Sequence, residues 1–155
     1  MERKDQKSGF EAKDFGSSVL RDEVAIYRTH RIPPAEESLS RIRDGLPVEE
    51  FDALLDILGV STERLLQLLG MTKSTLSRRR KTSRLSREES DRLMRFTRIF
   101  GMAVRMLESE EAAKNWLSEP APALAHEAPL DYADTELGAR EVEALLWKLE
   151  HGVYV

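Results

Sequence analysis

The sequence predicts an all-α protein, and three observations lead to that prediction. Apolar side chains recur at intervals of three and four residues in most segments of the chain, which is the pattern of amphipathic helices. Glycine or proline separates these segments, and several are preceded by a serine or threonine that can cap a helix. We expect N-terminal helices, a helix-turn-helix region, a long central helix and a small helical C-terminal domain.

Length and composition exclude several classes of protein. The 155 residues suffice for one domain with a substantial core, or for two small ones. The absence of cysteine excludes disulfides and thiolate chemistry and fits a cytoplasmic protein. The N-terminus lacks the apolar segment of a secretory signal, and no apolar run approaches the ~20 residues that span a bilayer. We therefore expect no membrane partner.

The charge is distributed unevenly along the chain. The formal net charge is −4, which taken alone argues against nucleic-acid binding. Residues 72–105 nevertheless contain eleven lysines and arginines against three acidic residues, whereas residues 106–155 contain three against eleven. A basic middle of +8 beside an acidic end of −8 predicts two surfaces with different partners.

The first 45 residues predict two helices and little else. Residues 1–16 are mostly polar and should form a mobile tail. The first helix should span about residues 18–28, with an apolar side formed by Val19, Leu20, Val24 and Tyr27. After a break at Pro33 and Pro34, the second helix should span residues 34–44, with apolar contacts from Leu39 and Ile42.

The next segments have the pattern of a helix-turn-helix unit. A helix that Pro47 opens should end at Gly59, with an apolar side formed by Phe51, Leu54, Leu55 and Leu58. A helix capped by Ser61 should end at Gly70 and bury Leu65, Leu66, Leu68 and Leu69. A short basic helix follows, with Thr72 as its cap. Two helices, a glycine-bearing turn and a cationic third helix predict a reader of DNA.

The faces of the short basic helix follow from ~100° of rotation per residue. Leu76 marks its buried side, and Arg79 falls on that side, so Arg79 should contact the protein itself or a phosphate. The opposite side and the flanks carry short hydroxyls and cations, and Arg84 and Arg87 extend the positive surface beyond them. The candidate DNA-binding residues are Lys73, Ser74, Ser77, Arg78, Arg80, Lys81, Arg84 and Arg87.

These residue types suit the two tasks of a DNA-binding surface. Arginine can pair bidentately with guanine, and serine can contact base edges or phosphates. Arg84 and Arg87 are candidates for phosphate contacts. The alternative is a solvated charged surface, which we disfavour because three consecutive arginines and a lysine repel one another with no acidic residue nearby in sequence.

The longest helical pattern runs from Glu88 to Leu107, after Ser86 and Glu89, which have the spacing of a capping box. One apolar stripe consists of Leu93, Phe96, Phe100, Ala103 and Leu107, and a second of Ile99, Met102 and Met106. Two stripes indicate a helix covered on two sides. It is either the central helix of one core or a helix that gives one stripe to a dimer contact.

The C-terminal segments predict two helices joined by a loop. Ser109 can cap a short helix that holds Ala112, Ala113, Trp116 and Leu117. The following proline-rich stretch should be a loop pinned by Leu124 and Leu130. The last helix should start at Asp134 or Thr135, with a buried stripe of Leu137, Val142, Leu145, Leu146 and Leu149. Trp147 lies off that stripe, where it either forms a contact surface or covers a neighbouring helix.

No catalytic or metal-binding pattern is present in the sequence. His30, His126 and His151 have no spacing typical of a metal site. No glycine-rich phosphate loop, Walker motif or nucleophile elbow occurs. We therefore expect no enzymatic activity, no metal and no cofactor.

The segments LSREESDRLMRF, EEAAKNWLSEPAPAL and APLDYADTELGAREVEALLWKLEHGVY together resemble the Xre/ParS/MbcA-type antitoxins of bacterial RES–Xre toxin–antitoxin systems. The resemblance covers about residues 46–155. It implies an Xre-like DNA-binding and dimerisation region at 46–107 and a toxin-binding domain at 108–155, after an N-terminal part at 1–45. It also implies repression of its own promoter and a RES-domain toxin partner, similar in fold to ADP-ribosyltransferases, that depletes NAD. A homodimer is expected as well, because dimerisation would suit a palindromic operator.

The resemblance places the toxin contacts on the last helical turn and the tail, where they would cover the toxin's NAD site. The residues concerned are Trp147, Lys148, Glu150, His151, Gly152, Val153, Tyr154 and Val155. One departure is that Ala125 and His126 stand where many such antitoxins have two glycines. The alternative function is a stand-alone helix-turn-helix repressor with an acidic interaction domain.

Overall fold

The computed structural model describes residues 18–28 and 35–153, and every regular element in these ranges is helical. In chain order the helices are α1 (Val19–Arg28), α2 (Ala35–Asp44), α3 (Glu49–Leu58), α4 (Thr62–Leu69), α5 (Lys73–Thr82), α6 (Arg87–Leu107), α7 (Glu110–Ser118), α8 (Pro129–Tyr132) and α9 (Glu136–Glu150), with a 3-10 turn at Pro122–Leu124. The all-α prediction is confirmed. The predicted tail at 1–16 and the break at Pro33 and Pro34 lie outside the described residues.

Helix α6 is the centre of the fold. Helices α1, α2, α3, α4, α7 and α9 all pack against it. Leu93, Phe96 and Ile99 on α6 are completely buried, and burying each such side chain contributes about 1.5–3 kcal/mol. The apolar cluster around them includes buried side chains from both halves of the described chain, so these helices share one core.

Both predicted stripes of α6 are used inside the chain. Ile99 of the second stripe is completely buried, and Met102 and Met106 are partly buried against the same core. The interpretation of α6 as a central core helix is confirmed. Met102 and Met106 keep part of their surface exposed, so the alternative, in which one stripe of α6 forms a dimer contact, stays a prediction.

The helix starts follow the predicted caps. The Thr72 hydroxyl accepts from the backbone N–H of Thr75 at 3.0 Å, and Ser86 and Glu89 form a reciprocal capping box. The starts of α4, α7 and α9 are capped in the same way by the hydroxyls of Ser61, Ser109 and Thr135, each of which accepts from a backbone N–H three residues later. Each cap satisfies a backbone donor that the helix itself leaves unpaired and contributes about 1 kcal/mol.

A short antiparallel bridge fixes the entry to α3 against the turn between α5 and α6. Pro47 pairs with Arg84, and the N–H of Leu85 donates to the carbonyl of Leu46 at 2.9 Å. Pro47 therefore lies in this bridge, and α3 starts only at Glu49, two residues later than predicted. Gly45 has a φ of +79°, and a Cβ there would lie 2.4 Å from the Leu85 carbonyl oxygen, so the bridge requires glycine.

A buried carboxylate on α3 caps α1. Glu50 is only 5% exposed and accepts from the Ser18 hydroxyl at 2.8 Å and from the backbone N–H groups of Val19 and Leu20 at 2.9 and 3.2 Å. The positive end of the α1 dipole also favours this charge. Leu20 and Val24 then bury the other side of α1 in the core, so α1 is an integral part of the fold.

The buried stripe of α9 differs from the prediction. Val142, Leu145 and Leu146 are buried as expected, but Leu137 is 73% exposed and Leu149 is 43% exposed. Gly138 and Ala139 occupy the inner side of the first turn instead. The register follows from a close approach, because a Cβ on Gly138 would lie 1.7 Å from the Tyr132 carbonyl oxygen.

The loop before α8 contains two consecutive residues in the left-handed region. Ala125 and His126, the two positions of the departure expected from the resemblance, have φ values of 54° and 63°. Leu124 is buried as predicted, and the Ala121 N–H donates to the Glu127 carbonyl at 3.0 Å. The loop therefore adopts a glycine-like backbone with side chains that disfavour it.

Replacing Glu50 with glutamine should lower the free energy of unfolding by about 1–3 kcal/mol, because the α1 donors lose an ionised acceptor. Urea unfolding followed by circular dichroism measures this quantity. The matched control is Glu49→Gln, which removes the same charge from an exposed neighbour on α3. Equal stability of the two variants would show that the Glu50 cap does not stabilise α1.

Replacing Ala125 with glycine should raise the free energy of unfolding by about 0.5–1 kcal/mol. The left-handed conformation costs an alanine about 1–2 kcal/mol, which glycine avoids. Glycine loses more backbone entropy on folding, so the net stabilisation is smaller than that cost. Ala123→Gly, in the 3-10 turn of the same loop, should instead lower stability. Thermal unfolding of the three proteins is the measurement, and a destabilised Ala125→Gly would contradict the assigned backbone.

Candidate functional site

Helix α5 presents an almost wholly exposed surface. Only Leu76 on this helix is buried, as predicted. Its exposed residues include Lys73, Ser74, Ser77, Arg78, Arg80 and Lys81, all of them candidates for DNA contact. The helix is therefore attached along one narrow side and leaves its cations and hydroxyls accessible.

Arg79 fastens α5 to the start of α6. Its Nε donates to Glu89 Oε2 at 2.9 Å and its Nη2 to Glu89 Oε1 at 3.1 Å, with both side chains largely buried. Glu89 also accepts from the backbone N–H of Ser86, so one carboxylate serves the cap and the arginine together. The prediction that Arg79 acts within the protein is confirmed, and this pair fixes how α5 is presented.

Two cations on the flanks of α5 are paired with acidic residues of other helices. Arg80 makes two hydrogen bonds to Asp52 on α3, at 2.9 and 3.1 Å, and these bonds raise the pKa of Arg80. Lys73 lies 3.4 Å from Glu63, whose pKa is lowered first by a backbone hydrogen bond and then by Lys73. The premise that no acidic residue relieves the arginine run is wrong, because the fold brings these carboxylates from distant positions in sequence.

The two predicted phosphate contacts differ in their surroundings. Arg84 donates to the carbonyl of Gly45 at 2.7 Å and so braces the bridge in front of α3. Arg87 is exposed at the first turn of α6, beside a cavity of about 380 Å³ that Arg43 of α2 also lines. Among the described residues Arg78, Lys81 and Arg87 make no ion pair, so they are the α5–α6 cations most available to an anion.

Three ion pairs join α6 to α9, and the sequence analysis missed them. Arg98 lies 2.7 Å from Glu143 and Arg105 lies 2.8 Å from Glu150. Arg95, which is 8% exposed, lies 3.3 Å from Glu136. The available signal was a shared spacing, since Arg98 and Arg105 are seven residues apart and so are Glu143 and Glu150. The basic middle and the acidic end therefore neutralise each other in part, inside the fold.

The last turns of α9 carry the predicted toxin contacts in three different environments. Trp147 is 51% exposed, and its ring stacks on His151 with centroids 4.2 Å apart. Trp147 therefore leaves half of its surface uncovered rather than being buried by a neighbouring helix. Lys148 is half-buried, and Glu150 is committed to Arg105.

The chain leaves α9 through a glycine-centred turn. Gly152 has a φ of +67°, the Val153 N–H donates to the Lys148 carbonyl at 2.9 Å, and the Gly152 N–H donates to the Leu149 carbonyl at 3.3 Å. This pair of bonds is a Schellman motif, so the path of the chain is fixed as far as Val153, which remains 46% exposed. Tyr154 and Val155 lie outside the described residues.

The described part of the chain holds no group of three or more histidine or acidic residues arranged to bind a metal ion. None of its helices is both long and apolar enough to cross a bilayer.

Two family models match the chain over adjacent ranges. Residues 37–98 match the antitoxin Xre-like helix-turn-helix domain, and residues 102–152 match the antitoxin Xre/MbcA/ParS C-terminal toxin-binding domain. The matched ranges meet inside α6, whereas the boundary predicted from sequence falls at its end, between residues 107 and 108. That predicted boundary stays a prediction.

Three curated proteins are similar over most of their length. An "Antitoxin Xre" from Yersinia enterocolitica is 31% identical over 134 residues, which cover 84% of this chain and 90% of that protein. Another "Antitoxin Xre", from Photorhabdus laumondii, is 29% identical and is covered over 77% of its length. A "Prs ADP-ribosylating antitoxin" from Sphingobium sp. is 23% identical, with 84% of this chain and 86% of that protein covered.

Proposed function

Because this chain belongs to the Xre family of antitoxins, we propose that it neutralises a RES-domain, NAD-depleting toxin and represses transcription from its own promoter. The antitoxin class rests on the two family matches. The identity of the toxin and the autorepression are the proposal. One observation carries it: among the described residues, exposed predicted contacts without an ion-pair partner include Arg78 and Lys81 on α5 and Trp147 at the end of α9, within the helix-turn-helix and toxin-binding matches respectively.

The proposed DNA contact rests on the exposed lysine and arginine side chains that make no ion pair with the described residues. Arg78 and Lys81 face away from the core, and Ser74 and Ser77 lie on the same side of α5 at helical spacing. This arrangement suits a helix in the major groove, where arginine and serine reach base edges. Arg87 at the start of α6 is placed for a neighbouring phosphate.

The toxin-binding half rests on the exposed end of α9. Trp147 and Val153 offer uncovered apolar surface, and aromatic side chains dominate the energetics of many protein interfaces. We propose that the tail beyond Gly152 enters the NAD site of the toxin. The name of the Sphingobium relative associates one similar antitoxin with ADP-ribosylation, which is also a reaction of NAD-consuming enzymes.

We further propose that the chain acts on DNA as a homodimer, because two copies match the two half-sites of a palindromic operator. The alternative function, a stand-alone repressor with an acidic interaction domain, makes a different prediction. Under that alternative, expressing the gene adjacent to this one would not harm the cell.

Replacing Arg78 with alanine should weaken binding to the promoter by about 1–3 kcal/mol if Arg78 reads a base, and should weaken binding to unrelated DNA less. Replacing Arg87 should weaken both equally and reduce the slope of log affinity against log salt by about one, as loss of a phosphate contact does. Fluorescence anisotropy over a range of salt concentrations measures both effects.

The matched control for these two variants is Arg140→Ala, which removes an exposed arginine of α9 whose ion-pair partner among the described residues is Glu136 of the same helix. Arg79 and Arg84 are unsuitable for this comparison, because Glu89 and Gly45 hold them in the fold. If Arg78→Ala and Arg87→Ala both bind promoter DNA at low salt as tightly as the control, α5 is not the reading helix.

Deleting residues 153–155 should abolish neutralisation of the toxin while leaving promoter binding unchanged. Growth and cellular NAD in cells that express the toxin with the truncated antitoxin are the measurements. A second truncation that removes only residues 154–155 keeps the hydrogen bond from Val153 to Lys148 and so separates the tail from the end of the helix. Full neutralisation by both truncated proteins would refute occupation of the NAD site by the tail.

A further inference from the structure

A groove of about 390 Å³ lies at the opposite end of α9 from the tail. Its walls come from the first two turns of α9, the end of α8 and the residue after the left-handed turn at Ala125 and His126. The predicted toxin contacts, all on the last turn and the tail, do not include it. Its occupant therefore requires a separate argument.

The most unusual feature of the groove is an apolar side chain that the fold holds outward. Leu137 lines the groove and is 73% exposed. It cannot turn inward, because Gly138 must occupy the place next to the Tyr132 carbonyl, where even a Cβ would come within 1.7 Å. Exposure of Leu137 is therefore imposed by the packing of α9 on α8, and a partner that covered it would gain free energy from its burial.

The charged side chains that line the groove have one sign. Glu127, Asp134 and Glu141 line the groove, and no lysine or arginine does. Among the described residues none of the three carboxylates has an ion-pair partner. This contrasts with Glu143 and Glu150 of α9, which are both paired with arginines of α6. The groove thus combines an uncovered apolar side chain with uncompensated negative charge.

We propose that this groove is a second docking point for the toxin, and that it accepts a segment in which an arginine or lysine lies beside an apolar side chain. The inference rests on the proposed toxin-binding function and extends it. The whole groove falls within residues 102–152, which match the toxin-binding domain. The cation meets the carboxylates, and the apolar side chain covers Leu137.

The groove continues into the surface already assigned to the toxin. Leu137, Glu141, Ala144 and Lys148 follow one another at intervals of four and three residues along the outer side of α9. Leu137 and Trp147 are ten residues apart, or about 15 Å along the helix axis. A toxin that buried both would cover most of the length of α9 and hold the tail in register with its cleft.

A second copy of this chain is a poorer occupant than the toxin. Two identical grooves repel each other, because each contributes only negative charge. A contact between the groove and the cationic α5 of another copy would cover the surface proposed to bind DNA. A basic segment of the toxin avoids both the charge repulsion and the loss of the proposed DNA-binding surface.

The test compares Leu137→Asp and Glu141→Lys with the unchanged antitoxin and with Glu111→Lys, a control with the same charge reversal at an exposed residue of α7. The probe is the toxin encoded beside the antitoxin gene, and isothermal titration calorimetry at two salt concentrations gives its dissociation constant. Both groove variants should bind at least tenfold more weakly, Glu141→Lys should show a reduced salt dependence, and the control should match the unchanged protein.

The remaining outcomes separate the groove from the function on which it rests. Promoter binding and thermal unfolding at wild-type values would show that the groove variants are folded. Wild-type affinity of both variants for the toxin would overturn the groove and leave the proposed function standing. No binding of the toxin by the unchanged antitoxin would overturn both. A change from dimer to monomer in the variants, with toxin affinity retained, would assign the groove to a second copy instead.

Discussion

The enclosure of α6 is the constraint from which the rest of the structure follows. A helix covered on nearly every side must provide apolar contacts in several directions, and its completely buried Leu93, Phe96 and Ile99 do so. Close packing then leaves little freedom in how the surrounding helices attach, because a void or an overlap costs stability. The outward residues of α5 and α9 are those that remain after α6 has been covered.

The charged side chains of α6 have two structural roles, and the amino-acid composition of the helix does not reveal which residue has which role. Glu89, at the start of the helix, orients Arg79 and hence the whole reading helix. Arg98 and Arg105, further along, neutralise acidic residues of α9. Removing one partner of such a partly buried ion pair lowers the stability of the fold, because the remaining charge is left uncompensated. The cations available for the proposed DNA contact are consequently fewer than the basic segment suggests, and the unpaired Arg78 is one of them.

Local signals in the sequence predicted local structure well. Hydroxyl caps and helix-terminating glycines fixed most helix bounds, because a cap needs only three or four neighbouring residues. Contacts between distant residues were not accessible in that way. Nothing near Glu50 in sequence indicates that it caps α1, and nothing near Arg80 indicates Asp52 as its partner. Leu137 fits the apolar period of α9, but Gly138 takes the inner position because the Tyr132 carbonyl of α8 leaves no room for a side chain there. The sequence therefore predicted a group of residues that could contact DNA, but it did not predict which of them the fold pairs with acidic residues.

The two proposed binding surfaces are attached to opposite ends of one rigid helix. Arg79 ties α5 to the first turn of α6 through Glu89, and Arg105 ties the last turn of α9 to the end of α6 through Glu150. Twenty-one residues of helix separate these ends by about 30 Å. Helix α6 connects the two surfaces, and six helices hold it in place. The geometry therefore fixes the distance between the proposed DNA-reading surface and the proposed toxin-binding surface of the chain.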